Sequence, residues 1–84
     1  LANWMNDLDR VGDVQEVEVE NPDLAGQTVR DVGPKLPEGC LIVLHERDGE
    51  TKVPKADTTI QIGDRLTLVG SHDGVREGMS MCVG

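Results

Sequence analysis

Phenylalanine and tyrosine are absent from this chain and tryptophan occurs once, so aromatic residues make up 1% of its 84 positions. Stacking platforms of the kind that hold unpaired bases are therefore excluded, and the core has to be filled by valine, leucine, isoleucine and methionine. Cysteine occurs only at Cys40 and Cys82, without CxxC spacing and without a histidine at ligand distance, which argues against metal or redox chemistry. Free thiols buried as small hydrophobes are expected, with a disulfide left open. His45 and His72 are the only histidines, and neither has a nucleophile or carboxylate at motif spacing. Ser71 is not within a GxSxG elbow, and Gly74-Val75-Arg76-Glu77-Gly78 lacks the lysine of a phosphate loop. No apolar run approaches the roughly 18 residues that would span a bilayer, and no signal peptide is evident. The chain starts at Leu1 rather than Met, so it is expected to be a piece of a larger protein.

Basic residues are scarce as well. Eight Lys and Arg stand against sixteen Asp and Glu, a formal charge of −8, which repels a phosphate backbone and an anionic membrane surface alike. Nucleic acid is not an expected partner. Lysine is confined to Lys35, Lys52 and Lys55, and Asp outnumbers Glu; this bias fits a salt-rich cytoplasm, where screening tolerates self-repulsion, and fits an ordinary acidic domain equally well. A chain this short forms one small domain, marginally stable alone, for which a partner chain is plausible.

Apolar periodicity organises the rest. Leu1, Trp4, Met5, Leu8 and Val11 follow helical spacing with Asn3, Asn6, Asp7, Asp9 and Arg10 opposite, predicting an amphipathic N-terminal helix or linker over residues 1–12. From Val14, Val17 and Val19 alternate with Glu16, Glu18 and Glu20, the pattern of a half-buried strand with a solvated acidic face. Thr28 is an N-cap for a short helix through Val32, stopped by Gly33-Pro34, with Leu24, Val29 and Val32 turned to the sheet. Cys40 to Arg47 reads as a central strand whose apolar first half implies cover on both faces. Asp48-Gly49 is a hairpin signal that returns Glu50 to Val53 antiparallel, and Pro54 puts that strand at an edge. Gly63-Asp64 turns into a strand from Arg65 to Val69. Ser71 or Asp73 caps a last helix with Val75, Met79 and Cys82 on one face, weakened by Gly74 and Gly78 at about 1 kcal/mol each. The fold class is α+β: a mostly antiparallel sheet of about four strands with short helices, plus the N-terminal helix.

Among single residues, Arg47 stands out. It ends the central strand before a tight turn and offers a planar fork of donors suited to phosphate or carboxylate; the competing reading is an ion pair with Asp48 or Glu46. His45 is expected as a surface imidazole rather than a pH switch. Asp64 is expected as a turn former bonding nearby backbone amides.

The strand Val14 to Glu20, Leu24-Ala25-Gly26-Gln27-Thr28-Val29, the run Ile42 to Gly49, Pro54, and Gly63-Asp64-Arg65-Leu66 through Gly70 together resemble the RCK C-terminal (TrkA-C) regulatory domain of potassium channels and cation transporters. The resemblance covers residues 13–84. It implies a non-enzymatic, cytoplasmic module that forms homodimers and regulates a membrane cation channel, transporter or antiporter to which it is attached. In that family some members take cyclic di-AMP at the dimer interface and others a divalent cation. Carried over, the ligand contacts fall on Ile42, Val43, Arg47 and Pro54. A dimerisation module without a ligand, and a small metal protein or enzyme built on Cys40, His45, Cys82 and the acidic pairs Asp7 with Asp9 and Glu46 with Asp48, are the alternatives.

Overall fold

The computed structural model describes residues 12–84. The helix expected over Leu1 to Val11 lies outside the described residues. Strand β1 (Asp13–Glu18) is followed by a 3-10 turn at Pro22–Leu24, the short helix α1 (Val29–Val32) and a second 3-10 turn at Gly33–Lys35. Then come β2 (Cys40–Arg47), β3 (Glu50–Lys52), β4 (Arg65–Gly70) and the C-terminal helix α2 (His72–Val83). The four strands form one antiparallel sheet in the order β1-β4-β2-β3. The expected α+β class is thus the one observed.

Alternation decides which face of the sheet is covered. Val17, Val19, Leu66 and Leu68 are buried while Glu16, Glu18 and Glu20 are exposed, and α2 packs on the buried side with Val75 and Cys82 fully enclosed. Leu24, Val32 and Ile60 complete the core, with Val29 packed against it. Thr28 caps α1 through a reciprocal box: its hydroxyl accepts from the Asp31 amide and the Asp31 carboxylate accepts from the Thr28 amide. The loop carrying α1 is tied to the segment before β4 by backbone bonds, Gly26 N to Ile60 O (2.7 Å), Ile60 N to Gln27 O (2.8 Å) and Val29 N to Thr58 O (2.9 Å).

One expectation is corrected. The apolar half of β2 is not covered on both faces: Leu41 is 65% exposed, because α2 lies on one side only and no other element among the described residues packs on the opposite face of the sheet. A bulge between Ile42 and Leu44 shifts the register against β4 and leaves Val43 as the extra residue.

Ser71, not Asp73, caps α2, its hydroxyl accepting from the Gly74 amide at 3.0 Å. The glycines of α2 have a packing role. A Cβ on Gly74 would meet Gly39 O at 2.6 Å and Glu38 O at 2.8 Å, and one on Gly78 would meet Cys40 Sγ at 2.6 Å. Close approach of helix to strand, rather than helix propensity, selects these residues. Gly74→Ala is therefore expected to lower stability by about 1–3 kcal/mol through overpacking, although propensity alone favours alanine. Urea denaturation checks this, and Gly78→Ala should lose less when Cys40→Ala is added.

Candidate functional site

Asp64 is the centre of the polar interior. It follows Gly63, whose φ of +91° makes the turn, and its side chain is only 4% exposed. Three residues converge on it, two from β2 and one from its own turn. Arg47, at the end of β2, donates Nε to Oδ1 (2.9 Å) and Nη2 to Oδ2 (2.7 Å), a bidentate pair. His45, two residues earlier on the same face of β2, places Nε2 2.7 Å from Oδ2. The Gln61 amide donates to Oδ2 at 2.9 Å from within the turn itself. Arg47 Nη2 also donates to Thr59 O at 2.7 Å, so one guanidinium stitches the loop after β3 to the end of β2.

Electrostatics follow from this geometry. Burial alone would push the Asp64 carboxyl up, but side-chain hydrogen bonds from Arg47 and then His45, together with the Gln61 amide, outweigh it and bring the pKa down to about 2. The hydrogen bond to Asp64 raises Arg47 in return. Burial pushes the Cys82 thiol up to about 11 and raises Cys40, so both are protonated, and both are free.

Arg47 stands between two clefts. One, of about 370 Å³, is lined by Glu46, Arg47, Asp48 and residues 61–65. The other, of about 300 Å³, opens toward the β2–β3 hairpin and is lined by His45, Arg47, Asp48, Glu50, Lys52 and Thr58. The Arg47 side chain keeps 42% of its surface exposed, and its Nη1 makes no hydrogen bond among the described residues. Three of its five N–H donors are thus fixed by protein acceptors, and the two on Nη1 have none among the described residues.

The residues singled out from sequence fall in different places. Arg47 is at the clamp. Ile42 and Val43 are half-buried at the bulge, Ile42 packing on the core. Pro54 is half-buried just beyond β3. None of these three lines either cleft beside Arg47. Arg47 pairs with Asp64, not with its neighbours Asp48 or Glu46, because Asp64 is held on the same side of the sheet by the turn. His45 is buried rather than a surface imidazole, and the Asp64 carboxylate reaches across strands as well as to a local amide. Thr59 and Gln61 contribute backbone atoms only, so no side-chain signal marked them.

This is a small α+β domain in which one buried carboxylate presents an arginine between two clefts. The family model of the TrkA-C domain matches residues 14–80, and the chain belongs to that family. It is 36% identical over 63 residues to an uncharacterized transporter of Bradyrhizobium diazoefficiens, an alignment covering 71% of this chain and 11% of the relative. The chain thus spans about a tenth of that relative's length. Its fold is that of the RCK C domain of the potassium transport protein KtrA, solved in complex with cyclic di-AMP: TM-score 0.73, 21% identity, 88% of this chain and 86% of that one. It is also that of the RCK_C domain dimer of Streptococcus agalactiae BusR in complex with cyclic di-AMP: TM-score 0.67, 21% identity, covering 84% and 93%.

The clamp has a pH signature. A depressed carboxyl adds stability that is complete above the unfolded pKa of about 3.9 and is lost as pH falls toward 2. Unfolding free energy should therefore fall by about 2 kcal/mol between pH 5 and pH 2 on this account. Urea titrations at stepped pH should show a shallower acid decline in Asp64→Asn than in the parent protein.

Proposed function

We propose that residues 13–84 are a cytoplasmic regulatory domain that dimerises, senses a small ligand and thereby controls a potassium or other cation transport protein. Membership of the TrkA-C family and the transporter relative support the setting. The single observation that carries ligand sensing is Arg47: bidentate on Asp64, anchored again on Thr59 O, and left with unused donors between two clefts. A guanidinium fixed before any ligand arrives loses little freedom on binding, and its fork matches a phosphate oxygen pair.

Cyclic di-AMP is the ligand this reading favours over a divalent cation, since two neighbours of the same fold are described with it and a phosphodiester suits Arg47. Ile42, Val43 and Pro54 would supply apolar contacts at a two-fold interface. Control requires the ligand to bind one dimer geometry more tightly than another, since equal affinity shifts nothing. The domain acts by binding, not by catalysis.

Titration calorimetry and equilibrium sedimentation test this together. Cyclic di-AMP should bind saturably to a homodimer, and Arg47→Ala should weaken it by about tenfold or more, the worth of a charge-assisted hydrogen bond. A dimer that takes up no cyclic di-AMP would favour a purely structural dimerisation module. A monomer under all conditions would overturn the dimer.

A further inference from the structure

The sheet has a second face that the clamp and the core do not use. Register places Glu18, Arg65 and Glu46 side by side across β1, β4 and β2; the next row on that face is Glu16, Thr67 and Leu44, and the next is Val14, Val69 and Leu41. Leu66 and Leu68, which alternate with these residues on β4, are fully buried beneath α2, so the three rows point away from the core. Val14 is 42% and Leu41 65% exposed, and Leu44, Thr67 and Val69 are half-buried. This surface is apolar at one end and acidic at the other.

Its charge is not balanced internally. Arg65 donates to Glu16 at 2.9 Å, yet it also stands between Glu18 and Glu46, three carboxylates around one guanidinium. Two negative charges are left over beside an apolar strip. A second copy of the chain laid face to face would bring six glutamates against two arginines, doubling the excess in an isologous contact. An anionic lipid surface is repelled for the same reason. The chain's own first eleven residues carry Asp7 and Asp9 against Arg10, the wrong sign of charge.

We propose that the open face of the sheet is a docking surface for a cationic amphipathic helix, its apolar residues on Val14, Val69, Leu41 and Leu44 and its Lys or Arg residues beside Glu16, Glu18 and Glu46. The dimensions agree. The Val69 and Arg65 rows are four residues apart, about 13 Å along a strand, and a helix of about nine residues covers that length. Apolar anchors give the affinity and the acidic end sets direction, since a helix reversed end to end leaves its cations over Leu41.

The test is an amide-resolved NMR titration of the 84-residue protein with a 14-residue capped peptide, leucines at helical spacing and three lysines at one end. Shifts should concentrate at Val14, Leu41, Leu44, Arg65 and Val69. Leu41→Glu, at a position exposed enough to leave folding intact, should weaken binding at least tenfold, as should Glu18→Lys with Glu46→Lys. A matched peptide with glutamates for lysines should not bind. Equal affinity for both peptides, or shifts centred elsewhere, overturns the proposal. So does binding that appears only in a variant lacking residues 1–11, which would give the face to that segment. Conversion of a dimer to a monomer by Leu41→Glu would give it to a second copy, again overturning the proposal while leaving the regulatory reading in place.

Discussion

A carboxylate enclosed by protein is unstable in its charged form unless several donors reach it at once, and in this domain Asp64 collects those donors from two residues of β2 and from its own turn. Remove that convergence and there is no electrostatic reason for Arg47 to lie where it does, nor for the segment between β3 and β4 to close against the hairpin. The third hydrogen bond of Arg47, to Thr59 O, extends the clamp to the stretch that pairs with Thr28 ahead of α1. One ionised side chain thus links the part of the fold with α1 to the part with the hairpin.

The rest of the molecule is assembled from small pieces. With no phenylalanine or tyrosine to fill space, the core depends on valine, leucine and isoleucine in a thin layer between sheet and helix, closed where the backbone of Glu38 and Gly39 approaches Gly74 and the Cys40 side chain approaches Gly78. A layer that thin covers one side of the sheet. The exposed side is a direct result of the chain's size, and it is where a small domain has surface to give to partners.

Much of the fold was legible in sequence because the apolar periods are clean. Val17 and Val19 against Glu16 and Glu18 fixed the facing of β1, Asp48-Gly49 marked the hairpin, Pro54 marked the edge, and Thr28 and Ser71 marked helix starts. Arg47 was legible as the residue with most chemical reach. Its partner was not: Asp64 lies seventeen residues away, and pairing across a sheet depends on strand order, which local pattern does not encode. His45 is buried against expectation for the same reason, since a polar residue near a strand end reads as exposed until the loop that carries Asp64 is placed over it. The apolar run around Leu41 suggests two covered faces, and only the one-sided position of α2 shows otherwise. Gly74 and Gly78 read as helix weakeners until the strand they admit was in view.

Family membership, the clamp and the two clefts support the proposed regulator, in which Arg47, fixed in advance by Asp64, would receive a phosphate-bearing ligand. That account stands on Arg47 and Asp64 acting as one unit, which a double-mutant cycle measures directly. Urea denaturation of Arg47→Ala, Asp64→Ala and the double variant should give a coupling energy of about 2 kcal/mol or more, with the double variant losing less than the sum of the singles. Additive losses, within about 0.5 kcal/mol, would mean that the pair does not hold the site together and would contradict the account.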